Sequence, residues 1–129
     1  MEVRVGLFDN LLGNASEVNT SSLESEFATL LISGEQIEHA YRLFRDLIVF
    51  TNKRLIMMDK QGLTGKKKEF LSIPYSNITK FSKESSGRFD ADAEIKVWVR
   101  GDPGALQFEF RKDKNVDDVY RVLSAYILK

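Results

Sequence analysis

The sequence contains no cysteine, one histidine and two prolines among its 129 residues. Without cysteine the chain can form no disulfide and offers no thiolate, which excludes thiol catalysis and cysteine-ligated metal sites. The single histidine, His39, gives little scope for general acid–base catalysis or for a histidine metal cluster. We therefore expect no enzyme activity, no catalytic residues and no cofactor.

The chain also lacks net charge and long apolar runs. Nineteen basic and nineteen acidic residues give a formal net charge of zero, so no overall field attracts nucleic acid or an anionic membrane. No apolar run approaches the roughly 20 residues of a membrane-spanning helix, and no apolar signal segment stands near Met1. With 43% hydrophobic residues, the composition predicts one domain with a single core, located in the cytoplasm.

The most informative stretch is residues 47–59 (LIVFTNKRLIMMD), in which two apolar segments flank a short polar break. The β-branched and aromatic residues before the break are typical of a β-hairpin with a tight turn. Leu47 and Val49 fall on one face of the first strand, and Ile48 and Phe50 fall on the other. Both faces are apolar, so this hairpin needs cover on both sides, from a barrel interior and from a helix or another subunit.

Alternating polar and apolar residues predict five further strands, at 37–44, 66–73, 78–85, 94–100 and 106–111. An amphipathic helix follows, with Asn115 at its N-cap. Two short helices precede the strands, one around residues 7–12 and one from Thr20 to Leu31. This order predicts an N-terminal helical segment (1–33) and a domain (34–129) that is mainly β with α. The domain is expected to be a seven-stranded antiparallel barrel capped by its C-terminal helix.

The predicted order of elements resembles the pleckstrin-homology fold. The local sequence resembles the bacterial pleckstrin-homology family, formerly a domain of unknown function, at residues 45–56 (RDLIVFTNKRLI), 59–67 (DKQGLTGKK), 73–75 (IPY) and 87–94 (GRFDADAE). The resemblance implies a pleckstrin-like barrel, no enzyme activity and ring-shaped homo-oligomers, with a pentamer as the favoured size.

Two charged clusters are candidate binding sites. Lys66, Lys67 and Lys68 form the best basic cluster. The cluster either binds an anionic lipid headgroup or is a solvated, charged strand that discourages pairing with the edge of another sheet. The glycines at 62 and 65 lack the spacing and the following Ser or Thr of a phosphate-binding loop, so this segment predicts a turn. Asp90, Asp92 and Glu94 alternate along the chain and are weak candidates for a calcium site, or simply charges at a loop mouth.

The surplus of apolar residues predicts self-assembly, with an unknown protein as a further partner and no nucleic acid. A head-to-tail contact must close into a ring or grow as a filament, so we expect a cyclic oligomer. The predicted interface residues are Leu7, Phe8, Leu11, Leu12, Ile48, Phe50 and Trp98. The function predicted from the sequence is therefore a scaffold, and peripheral binding to anionic lipid through the lysine cluster is the alternative.

Overall fold

A computed structural model describes residues 16–17, 20–43, 46–61, 67–85, 92–110 and 115–129. The strands are β1 (Ser16–Glu17), β2 (Ile37–Arg42), β3 (Asp46–Thr51), β4 (Arg54–Gln61), β5 (Lys67–Pro74), β6 (Ile78–Ser85), β7 (Ala93–Val99) and β8 (Ala105–Phe110). The α-helices are α1 (Glu24–Phe27) and α2 (Val116–Ile127), with 3-10 turns at Thr20–Leu23 and Tyr75–Asn77. Strands β1 to β5 form one antiparallel sheet in sequence order, and β6 to β8 form a second.

The predicted strands and C-terminal helix are confirmed. The seven predicted strands correspond to β2 through β8, and the helix begins at Val116. Asn115 is the N-cap residue as predicted, but its side chain makes no capping hydrogen bond. The structure adds β1, which pairs with the end of β2 over two residues. The turn between β7 and β8 places Gly101 at φ +88°, a left-handed conformation that glycine adopts without a steric penalty.

The predicted helix from Thr20 to Leu31 is wrong in its length. Only Glu24–Phe27 is α-helical, and the residues before it form a 3-10 turn. The chain leaves the helix in a turn, in which the N–H groups of Leu30 and Leu31 both donate to the carbonyl of Phe27. The carbonyl of Leu30, at the end of this turn, accepts a hydrogen bond from Arg54 Nη2. The predicted helix around residues 7–12 lies outside the described residues.

The hairpin β3–β4 separates two apolar cores, as its two apolar faces predict. Its inner face contributes Ile48, Phe50 and Leu55 to a core shared with the second sheet and with Val119 and Leu123 of α2. Register pairs such as Phe50↔Leu55 and Val49↔Ile56 keep the residues of each face together. The inner core therefore joins both sheets to the C-terminal helix.

The outer face of the hairpin is covered by the chain's own N-terminal segment. Leu47, Val49 and Ile56 pack with Leu23 and Phe27, and Phe27 is fully buried. Phe27 also meets the ring of Phe70 edge to face, with centroids 5.4 Å apart. The cover that the sequence requires on this side thus comes from the same subunit and does not depend on a neighbour.

A buried ion pair holds this cover in place. Glu35 accepts hydrogen bonds from Arg54 Nε (2.9 Å) and Nη2 (2.9 Å), from Thr51 Oγ1 (2.6 Å) and from the N–H of Ile32 (3.1 Å). Burial by itself raises the pKa of the Glu35 carboxyl, but these bonds and the charge of Arg54 outweigh burial and hold the pKa below its ordinary value of 4.5. Because Arg54 also bonds Leu30, the pair links the covering segment to the hairpin.

We predict that Glu35→Gln lowers the free energy of unfolding by about 2 kcal/mol at neutral pH, because it removes charge-assisted hydrogen bonds from a buried group. Since the folded-state pKa of Glu35 is depressed, its contribution is complete above pH 4.5 and is lost as the pH falls through the folded-state pKa. Urea unfolding at neutral pH and in steps below pH 4.5 measures both effects. Glu24→Gln, an exposed carboxylate on α1, is the matched control, and equal losses in the two variants contradict the prediction.

Candidate interaction site

A groove of about 310 Å³ lies where the beginning of β2 meets the end of α2. Its walls are formed by two neighbouring residues of β2, by one face of α2 and by Lys129 just after the helix. The lining residues are Glu38, His39, Val122, Ala125, Tyr126 and Lys129. The helix positions 122 and 126 are one turn apart, so their side chains lie on the same side of α2. The groove combines apolar, aromatic and charged groups, which is typical of small-ligand sites.

Tyr126 is the central residue of this groove. Its ring is nearly parallel to those of Tyr75 (centroid distance 4.9 Å, 20°) and Phe50 (5.6 Å, 19°). Its hydroxyl donates a hydrogen bond to Glu38 Oε1. The aromatic stack thus fixes the phenol ring, and the phenol in turn fixes the carboxylate of Glu38.

Both stacked phenols have raised pKa values. Burial raises the pKa of Tyr126 most, and the hydrogen bond to Glu38 and the charge of that carboxylate raise it further. Burial also raises the pKa of Tyr75, whose hydroxyl donates to the carbonyl of Thr51 at 2.7 Å. Each tyrosine therefore remains a protonated hydrogen-bond donor at neutral pH.

His39 and Glu38 enter the groove with little freedom. The ring of His39 is nearly parallel to that of Tyr41 (6.5 Å, 9°) and meets Tyr126 edge to face (6.4 Å, 81°). Glu38 is only 8% exposed, although it is charged. A buried carboxylate is costly unless hydrogen bonds or a cation compensate for lost hydration. The hydroxyl of Tyr126 provides one such hydrogen bond to Glu38, and none of the ion pairs formed by the described residues involves this carboxylate.

The described part of the lysine cluster lies on β5 and is exposed. Lys66 is outside the described residues. Lys68 Nζ lies 2.5 Å from Glu26 Oε2 on α1, so this lysine is already paired with a carboxylate of its own chain. Lys67 is exposed near the start of the strand. The structure therefore describes a mixed-charge edge here and no enclosed headgroup pocket among these residues.

The acidic candidates are only partly described. Asp90 lies outside the described residues, Asp92 is exposed, and Glu94 Oε1 lies 3.9 Å from Lys96 Nζ. Within the described part of the chain, no group of three or more His, Asp or Glu side chains is arranged to hold a metal ion. The calcium hypothesis gains no support from Asp92 and Glu94.

Two of the predicted interface residues are buried inside the subunit, and four lie outside the described residues. Ile48 and Phe50 are 2% and 1% exposed inside the inner core, so their assignment to an outward surface is wrong. The residues on the outer face of that strand are Leu47 and Val49, which pack with Leu23 and Phe27, while Ile48 packs in the core that contains α2. Leu7, Phe8, Leu11 and Leu12 lie outside the described residues.

Trp98 is half-buried and belongs to neither apolar core. It alternates along β7 with the buried Val97, so it lies on the outer face of the three-stranded sheet. Lys80 Nζ lies 4.7 Å from the centroid of its ring. This placement agrees with the outward orientation that the alternation in the sequence predicts.

Sequence reasoning missed Glu38, Tyr126 and the pair formed by Glu35 and Arg54. Tyr126 lies beside the main apolar stripe of α2, one turn after Val122, and that i, i+4 spacing was the available signal. The alternation along β2 predicts that Glu38 faces solvent, and no pattern in the sequence indicates that α2 covers it. Residues 35 and 54 are separated by 19 positions, so only the tertiary fold brings them together.

The two sheets with a C-terminal helix across the barrel define a pleckstrin-homology fold. A crystal structure of a pleckstrin homology domain from Shewanella amazonensis SB2B superimposes with a TM-score of 0.81 and 40% identity, over 86% of this chain and 100% of that one. A DUF1696 family protein with a pleckstrin-homology domain from Shewanella loihica PV-4 gives a TM-score of 0.76 and 43% identity, over 89% and 98%.

The model of the family described as "Bacterial PH domain" matches residues 6–127, and the chain belongs to this family. It is 52% identical over 122 residues to the uncharacterized protein YjqA of Bacillus subtilis (strain 168), covering 94% of this chain and 98% of that protein. These relationships confirm the fold and the family that the sequence resembles.

None of the helices in the described part of the chain has the length and the apolar character of a membrane span.

We predict that the chain binds anionic vesicles only weakly, because each surface lysine contributes roughly 1 kcal/mol near an anionic leaflet and Lys68 is paired with Glu26. Co-sedimentation with phosphatidylserine vesicles at low and high salt measures this. The Lys67→Gln, Lys68→Gln double variant is compared with Lys53→Gln, Lys129→Gln, which removes the same charge elsewhere. Tight binding that persists at high salt contradicts the prediction.

Proposed function

We propose that this bacterial PH domain is a non-enzymatic interaction module that self-associates head to tail into a closed ring. The single observation that supports it best is the outer face of the sheet β6–β8, where Trp98 lies in the central strand outside both cores. The outer face of the larger sheet is covered by Leu23 and Phe27. Half-exposed tryptophans on such faces are frequent anchors of protein interfaces.

The charges on this face have a complement elsewhere on the molecule. Glu84, Glu94 and Glu109 are register neighbours across the three strands and form an acidic row at one end of the face. Lys96 Nζ lies 3.9 Å from Glu84 and from Glu94, so Glu109 is the member of the row outside these two ion pairs. Lys67 and Lys68 lie on β5, in the other sheet. Lys68 is paired with Glu26 of its own chain, so the pairing proposed for a heterologous contact between copies is Lys67 of one copy with Glu109 of the next. Such a contact either closes into a ring or continues as a filament.

We propose a pentamer as the ring size, on the resemblance to the family alone. The proposed interface uses Trp98 and the acidic row, and it no longer includes Ile48 or Phe50, which are buried within one subunit. No hydrolase, transferase or redox activity is assigned to the chain in this proposal, and no cofactor is required. A further protein partner of the ring is compatible with it.

We predict that the full chain in light scattering has a mass several times the 14.8 kDa of one chain at micromolar concentration. Trp98→Glu is expected to weaken association by about 30-fold or more, since it places a charge at the centre of the contact. Thr29→Glu, which adds the same charge at an exposed site on the covering segment, is the control. A monomeric full chain overturns the proposal, whereas an oligomer unaffected by Trp98→Glu overturns this choice of surface.

Charge reversal tests the head-to-tail pairing of the two patches. Lys67→Glu and Glu109→Lys are each expected to weaken association by about tenfold, and the double variant is expected to recover most of the loss. Point variants are used to test the interface because a deletion of residues 1–33 would remove Leu23 and Phe27 from the outer core of the subunit itself. Losses that add without recovery in the double variant contradict direct pairing of Lys67 with the acidic row.

A further inference from the structure

We infer that the groove between β2 and α2 binds a small organic ammonium ion, with Glu38 as its anionic partner and Tyr126 as its aromatic wall. The site is separate from the proposed self-association surface, because it lies on β2 and α2 and contains no residue of β5 or of the sheet β6–β8. Its volume of about 310 Å³ corresponds to the lower end of small-ligand pockets.

The charge and burial of Glu38 indicate the sign of the ligand. The side chain belongs to a residue that is 8% exposed, and Oε1 accepts the hydroxyl of Tyr126. Among the described residues, no cation forms an ion pair with this carboxylate. A cation in the groove would add to the compensation that the hydroxyl of Tyr126 gives this buried carboxylate.

The chain itself shows that a cation fits against this wall. Lys129 Nζ lies 5.6 Å from the centroid of the Tyr126 ring, within the distance of a cation–π contact. Lys129 is exposed and follows the last turn of α2, so its ammonium group is an internal stand-in that an external ammonium ion can displace. An anionic ligand would instead use Lys129 as its partner. Removal of the Lys129 charge would therefore weaken the binding of an anion and strengthen the binding of a cation.

The remaining walls define the body of the ligand. Val122 and Ala125 provide apolar surface along α2, and the ring of His39 is held in place by Tyr41 and Tyr126. This lining suits a short alkyl or aryl group attached to the ammonium. A strongly hydrated inorganic cation would gain little from such walls, because they offer few oxygen ligands.

The test uses benzylammonium as the probe, with benzyl alcohol and benzoate as its neutral and anionic analogues, in an NMR titration of the full chain. Benzylammonium is expected to bind with a Kd on the order of 1 mM, typical of a fragment of this size. It is expected to shift the resonances of Ala125 and Tyr126, and to bind at least tenfold more tightly than either analogue. Equal or tighter binding of benzoate overturns the inference.

Two charge variants with matched controls test the roles of the residues. Lys129→Gln is expected to tighten benzylammonium binding at least threefold by removing the internal competitor, and Glu38→Gln is expected to weaken it about tenfold. Lys53→Gln and Glu24→Gln make the same charge changes at exposed sites and are expected to have little effect.

Weaker binding in Lys129→Gln, or unchanged binding in a folded Glu38→Gln variant, overturns the inference. If Glu38→Gln fails to fold, the probe comparison and Lys129→Gln decide the matter alone. A lysine-containing peptide that binds the groove while benzylammonium does not overturns the assignment to a small molecule.

Discussion

The structure depends on a hairpin that is apolar on both faces. Neither face of β3–β4 can remain in water, so the chain must supply two separate covers. The second sheet and α2 cover the face that carries Ile48 and Phe50. The segment that carries Leu23 and Phe27 covers the other face. The four-residue helix α1 in that segment is too short to be stable alone and becomes stable by packing on the hairpin.

Polar contacts determine where these covers sit. Arg54 joins the hairpin turn to Glu35, to the carbonyl of Leu30 and to Ser72 on the neighbouring strand. On the other side of the sheet, the hydroxyl of Tyr126 joins α2 to Glu38 on β2. Apolar burial supplies most of the stabilisation but has no direction, whereas these hydrogen bonds specify one position for each cover.

The strands were predictable because their side chains alternate, and the two-faced character of residues 47–50 correctly implied two covers. The sequence could not show which face was inner. Leu47 and Ile48 are both apolar, and only the tertiary packing against α2 places Ile48 in the inner core. The length of the first helix was overestimated because apolar spacing continues through Leu31, whereas the chain forms a turn after Phe27. Arg54, 24 positions away, bonds the Leu30 carbonyl of this turn. The groove was invisible for the same reason, since Glu38 and Tyr126 are 88 residues apart.

The outer core has a consequence for the order in which the chain folds. Among the described residues, the outer core contains members from Leu23 to Phe70, whereas the inner core includes residues of α2, up to Ile127. Contacts between residues that are close in sequence have a smaller loop-closure cost and form sooner. During synthesis the first sheet and its cover can therefore assemble before the last strands exist. Until α2 emerges from the ribosome, the cover over the face that carries Phe50 is incomplete, and apolar surface exposed in this way promotes aggregation and chaperone binding.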